Sequence, residues 1–162
     1  MKQPPGRLQR ELRQRRPFVS VSDEAAVAIL RTADVVRRFY GEVLAPFEIT
    51  LPQYNVLRIL RGAGDAGLPT LDVAARLIES APGITLMMDR LFKRGWVRRR
   101  RARADRRQIL CYLTAEGATL LEQIDTPFDA AHARVMGGMT ARDCRTVIRL
   151  LERVRQAHSS PD

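Results

Sequence analysis

The sequence predicts a mainly α-helical chain with one small β-hairpin, and three observations predict it. Apolar residues recur at helical spacing over most of residues 23–154. Two short runs, 96–101 and 108–113, instead match in length and flank a gap of hairpin size. Two short helical segments joined by a tight turn lie directly before that pair, which is the order of a winged helix-turn-helix.

The first long helix covers residues 23–45, with Ala26, Ile29, Ala33, Val36, Tyr40 and Val43 on one side and Arg31, Asp34, Arg38 and Glu42 opposite. Ser20 or Ser22 starts it and Pro46 stops it. In "ITLPQYNVLRIL", Thr50 and Gln53 form a capping box, with Ile49 and Tyr54 placed as its hydrophobic staple, so a second helix runs from Leu51 to about Arg61. It ends at "GAGDAG", residues 62–67, which satisfies GxGxxG in form only. A dinucleotide site needs a strand before these glycines and a helix directly after them, whereas here a helix precedes and Leu68-Pro69 follows.

Thr70 is expected to cap a short helix, "LDVAARLI", with Leu71, Ala74, Ala75 and Ile78 on its inner face. After "ESAPG", with Pro82 in a first-turn position, the segment "ITLMMDRLFKRG" turns Ile84, Met87, Met88, Leu91 and Phe92 inward. Thr85, Leu86, Asp89, Arg90 and Lys93 face out, and Gly95 closes the helix. The hairpin follows, its second strand alternating Ile109, Cys111 and Leu113 against Leu110 and Tyr112. Thr114 caps a long helix with Leu120, Leu121, Ile124, Phe128 and Val135 inward, bent at Pro127. "GGM" breaks the chain at 137–139. Thr140 with Asp143 opens a last helix bearing Cys144, Val147, Ile148, Leu151 and Val154.

Charge gives the first functional constraint. The 162 residues carry 28 Lys and Arg against 18 Asp and Glu, a net charge of +10. Residues 1–19 hold six cations against one anion, and residues 86–107 hold ten against two, so two basic zones sit on a slightly acidic body. An acidic partner is implied, nucleic acid being the commonest. The first twenty residues lack the apolar stretch of a secretory signal, and no apolar run has the length of a membrane span, which predicts a cytoplasmic protein. Two cysteines without a CxxC and two histidines make no zinc set. No nucleophile stands with a base and no phosphate loop has its context, so neither an enzyme nor a cofactor is expected.

With these elements in this order, the chain resembles the MarR family of transcription regulators over residues 20–156. The resemblance rests on "ITLPQYNVLRIL", on "GITLMMDRLFKRGWVRR", and on "DRRQILCYLTAEG", an Asp-x-Arg at Asp105 and Arg107 followed by Leu113-Thr114 and Gly117. It implies an intertwined helical homodimer, sequence-specific binding to a pseudo-palindromic operator in double-stranded DNA, and repression relieved by a small aromatic or anionic effector. The parts would be a basic N-terminal extension (1–19), a dimerisation helix (20–48), a winged lobe (49–114), C-terminal dimerisation helices (115–157) and a tail (158–162).

The DNA-facing residues implied are Ser80, Pro82, Thr85, Leu86, Asp89, Arg90 and Lys93 of the helix-turn-helix. To these the wing adds Arg101, Arg103, Asp105, Arg106 and Arg107, with Asp105 the brace. Leu86 departs from the family, where arginine is frequent; a leucine can still meet a thymine methyl. Asp89 either accepts from cytosine or pairs with Lys93 one turn on. The effector pocket implied includes Arg37, Tyr40, Tyr54 and His132. Two rival readings stay open on the sequence alone: an architectural protein that coats DNA without sequence preference, and a regulator that senses oxidants through Cys111 or Cys144. Against the latter, both cysteines lie in phase with apolar residues, where thiols are usually inert.

Overall fold

The long helices take their ends from side chains named above. In the computed structural model, which describes residues 6–78, 83–102 and 108–157, helix α1 is a single short turn, Arg7–Glu11, in the basic extension. Helix α2 spans Val21–Leu44 and begins at Ser20, whose hydroxyl accepts from the Asp23 N–H, while the Asp23 carboxylate accepts from Val19. Helix α3, Leu51–Ala63, starts with the expected capping box: the Thr50 hydroxyl accepts from the Gln53 N–H, and Gln53 Oε1 accepts from the Thr50 N–H at 3.0 Å. Both Ile49 and Tyr54 are in the core.

The glycine-rich stretch is a 3₁₀ turn, Gly64–Ala66, leading into strand β1, Leu68–Pro69. Helix α4 is Thr70–Ala75, ending three residues before the pattern predicts, and its N-cap is Pro69. Thr70 is therefore not a cap. Its hydroxyl instead lies 3.6 Å from the Cys111 sulfur. The inner face is also corrected, since Val73 is fully buried while Leu71 and Ile78 are both 78% exposed. Helix α5, Ile84–Lys93, buries Met88 and Leu91 and ends in a Schellman turn: Gly95 at positive φ donates to Phe92 O, and Trp96 donates to Leu91 O.

Strands β2, Val97–Arg101, and β3, Ile109–Leu113, form the hairpin, with Val97 opposite Leu113 and Arg101 opposite Ile109. Strand β1 adds on the other side of β3, giving the order β1-β3-β2, all antiparallel. Proline is tolerated in β1 because the strand is an edge. Helix α6, Ala115–Val135, continues through Pro127, and helix α7, Ala141–Gln156, opens on the Thr140–Asp143 capping box. The core lies where α3, α5, the sheet and the inner face of α6 meet, around Leu57, Leu60, Leu91, Val97, Cys111 and Leu121. By contrast α7 buries no residue, and its Val147, Ile148, Leu150 and Val154 are exposed, as are Leu30 and Val35 of α2.

The sheet meets α6 closely enough to exclude a side chain. A Cβ on Gly117 would come within 2.5 Å of the Trp96 carbonyl oxygen and 2.7 Å of Leu113 Cδ1. Because the nearest of these atoms is backbone, Gly117→Ala should destabilise the fold by about 1–3 kcal/mol. Urea unfolding monitored through Trp96 fluorescence measures it; an unchanged midpoint would mean that α6 and the wing base separate freely.

Candidate nucleic-acid interface

Helix α5 presents two unlike faces. Opposite Met88 and Leu91 stand Thr85, Leu86, Arg90 and Lys93, all exposed, with Leu86 at 57%. Asp89, on the same side, pairs neither with Lys93 nor with solvent alone. Its Oδ1 accepts from Arg99 Nη2 of β2 at 2.6 Å, so the carboxylate ties the helix to the adjacent strand. The Arg99 guanidinium also lies 5.5 Å from the Phe92 ring centroid, which leaves Phe92 at the helix edge, about half exposed, rather than in the core as its spacing predicts.

The arginine run is held piece by piece. Arg98 stacks over Tyr112 at 4.4 Å, on the strand position directly opposite it. Arg94 stacks over Trp96 at 4.6 Å and donates to the Glu48 carbonyl oxygen at 2.6 Å and to its carboxylate at 3.1 Å. Arg100 and Arg101 are exposed at the far end of β2, where the Ala102 N–H donates to Gln108 O and begins to close the hairpin. Guanidinium planes on aromatic faces are attracted by the ring quadrupole, and this anchoring makes a folded element of a sequence that would otherwise repel itself. Ser80, Pro82, Arg103, Asp105, Arg106 and Arg107 lie outside the described residues.

Three of the four residues expected in an effector pocket line one hollow of about 240 Å³. Arg37 and Tyr40 of α2 and His132 of α6 surround it with Asn55 and Arg58 of α3 and Phe128 of α6. Tyr54 does not line it; it is buried behind the wall, 4.5 Å from the Phe128 ring centroid. The Tyr40 hydroxyl is 2.7 Å from His132 Nδ1, and its ring stacks on Phe128 at 4.8 Å. Burial pushes the Tyr40 phenol above its ordinary value, so at neutral pH the hydroxyl keeps its proton. Arg58 is the cation the sequence reading missed. It sits one helical turn from Tyr54, and only the fold brings it round to Arg37.

Between the two helices, Arg61 of α3 grips Asp125 of α6 through two bonds of 2.7 and 3.1 Å. The two thiols differ in setting, and only Cys111 has that of an inert one. Cys111 has no exposed surface, and Cys144 is half-buried on α7. Among the described residues no helix is long and apolar enough to cross a membrane.

Comparison with known proteins places this geometry. The MarR family model matches residues 49–109, the segment from the start of α3 to β3. The HTH-type transcriptional regulator TtmR of Methylorubrum extorquens is 33% identical over 121 residues, 75% of this chain, which spans only 58% of TtmR. The multiple antibiotic resistance protein MarR of Salmonella typhimurium is 30% identical over 118 residues, 72% of this chain and 81% of that protein. Among solved structures, a mutant MarR from E. coli complexed with operator DNA superposes with a TM-score of 0.73 at 28% identity, covering 83% of this chain and 98% of that one.

Two ion pairs yield measurable expectations. A double-mutant cycle on Asp89→Ala and Arg99→Ala should return a coupling of about 0.5–1 kcal/mol, the range for partly exposed pairs. For the stem, the hydrogen bonds from Arg61 hold the Asp125 carboxyl below its ordinary value of 3.8. The folded chain then binds that proton less readily than the unfolded chain, so the pair stabilises above the ordinary value and its contribution is lost as pH falls through the lowered one. Asp125→Asn should cost about 0.5–1 kcal/mol at neutral pH and progressively less in acid below about pH 4. Urea titrations at a series of pH values decide it; a cost that does not shrink in acid rules out the charge-based account.

Proposed function

The chain belongs to the MarR family of transcription regulators, and on that premise we propose that it binds a pseudo-palindromic operator as a homodimer and represses by occluding it. The observation that carries this reading is the outer face of α5: Thr85, Leu86, Arg90 and Lys93 are exposed together beside a hairpin that projects arginines. An exposed helix face of that size enters a major groove, and an adjacent arginine-rich wing reaches the backbone or the minor groove. Arg101, with Arg103, Arg106 and Arg107 at the wing tip, supplies the phosphate and minor-groove contacts, and Asp105 braces the tip. Ser80 and Pro82 belong to the same proposed DNA-facing set.

The dimer reading is supported by what α2 and α7 leave uncovered. Ala28, Ile29, Val147, Leu150 and Val154 line an apolar groove of about 690 Å³ between these helices. An amphipathic helix such as α7 gains most of its stability from packing its apolar stripe, and a second copy provides that packing. Two lobes on such a stem would address half-sites about 34–36 Å apart, one turn of DNA. The hollow between α2, α3 and α6 is the proposed effector site. Arg37 and Arg58 suit an anion and Phe128 an aromatic ring, and a compound seated there would favour one lobe spacing over another.

Selection of bound duplexes from a random pool at about 150 mM salt, with competitor DNA present, tests the proposal. Enrichment of a two-fold symmetric site with half-sites one turn apart is expected. Retention of DNA without enrichment would make the arginines a phosphate grip and the protein an architectural one. On the selected site, Arg107→Ala should weaken binding to all duplexes and flatten the log-log salt slope by about 0.9 for each phosphate that the arginine neutralises. An unchanged slope would remove Arg107 from the interface. Thr85→Ala should instead alter sequence preference more than affinity.

A further inference from the structure

Leu86 has no role in the fold that its surroundings reveal. At about 100° per residue it stands roughly 140° from Leu91 and 160° from Met88 around α5, so it points almost directly away from the core. Its side chain is 57% exposed and lies outside the core cluster. Single exposed leucines are ordinary on protein surfaces, but this one occupies the middle of the arc formed by Thr85, Arg90 and Lys93. It is also in the first turn of the helix, the part that reaches base edges in helix-turn-helix complexes.

The rest of that face narrows what it can recognise. Asp89 is its one carboxylate, and Asp89 is engaged by Arg99 at 2.6 Å. What remains is two cationic donors, one hydroxyl and one apolar side chain. Donors suit the acceptor atoms of guanine and thymine edges, whereas the apolar group has a single partner in the major groove, the C5-methyl of thymine. Resting on the operator-binding reading above, we infer that Leu86 is a specificity-determining residue that reads a thymine methyl in each half-site. The recognition helix thus selects an A·T pair by packing against that methyl.

The test replaces thymine by uracil, which differs only in lacking the methyl, at each position of the selected site in turn. Because the change is made on the DNA, no protein variant has to fold for it. Fluorescence anisotropy with the wild-type dimer should show one symmetric pair of positions at which uracil weakens binding about three- to tenfold, the scale of one buried methyl. Leu86→Ala should bind the two duplexes equally. Leu86→Arg should shift preference toward guanine at that pair, through bidentate contact to its N7 and O6. If a site is enriched but uracil is tolerated at every position, or Leu86→Ala keeps the discrimination, Leu86 does not read thymine and the regulator reading stands without it. If no site is enriched at all, the operator-binding reading fails first and this inference with it.

Discussion

Thr114 is the point at which three parts of the molecule become one. Its hydroxyl donates to the Gly95 carbonyl at 2.7 Å, where α5 ends, and accepts from the Gly117 N–H at 3.0 Å, where α6 begins. Its own N–H donates to the Trp96 carbonyl at 3.1 Å, at the base of the wing. One residue therefore satisfies orphan groups at a helix end, a helix start and a strand start together. Gly117 lets α6 approach closely enough for this, since any Cβ there would meet the same Trp96 carbonyl. The angle between α5 and the hairpin follows from this junction and from the Asp89–Arg99 pair across it.

The same logic explains why the basic zone is built from arginine. A lysine ammonium is a compact hydrated charge, whereas a guanidinium is planar, weakly hydrated and stacks on rings while its edge still donates. Arg94, Arg98 and Arg99 each use a ring, of Trp96, Tyr112 and Phe92 respectively, and Arg94 and Arg99 also use an acceptor on another element. These contacts order three arginines of a block whose mutual repulsion would otherwise favour an unfolded hairpin. Arg100 and Arg101 are left exposed, so the surface charge arrives on a rigid support and association loses less side-chain entropy than it would with a loose basic tail.

Local signals in the sequence are legible where the physics is local. The start of α2 at Ser20, one of the two serines the pattern offers, the capping boxes at Thr50 and Thr140, and the cap at Thr114 are encoded within three residues and appear where the pattern allows them. The α4 region misleads because its decisive partner is far along the chain. Thr70 is turned toward Cys111, and Val73 rather than Leu71 faces the core. Strand β1 has two residues, one a proline, and is too short to show any period. Asp89 offers an i,i+4 partner in Lys93, but β2 brings Arg99 closer to it, a non-local contact that no helical spacing announces. The same limit applies to Arg58, which joins Arg37 at the hollow only through the packing of α3 against α2. The wing-tip residues 103–107 and the turn residues 79–82 lie outside the described part of the chain, so their reading rests on the sequence resemblance.

Helix α6 joins the two proposed activities mechanically. It begins one residue after Thr114 at the wing base and carries Phe128 and His132 into the hollow. At 1.5 Å per residue, these groups lie about 20–27 Å along one helix from the junction that orients the wing. Pro127 falls beside the hollow, and because proline has no N–H, the Gln123 carbonyl loses its helical partner there. The turn of α6 least able to resist bending is thus the one that a compound in the hollow would touch. Arg61 and Asp125, two residues before that proline, hold the lobe to the stiffer side of it. A small displacement at Phe128 would reach the lobe through the Tyr54 ring, 4.5 Å away, and α2 through the Tyr40 ring, 4.8 Å away, and so change how the two sit against each other. In the proposed dimer that motion would matter, because the spacing of the two recognition helices, and not their individual shape, decides whether both half-sites can be held at once.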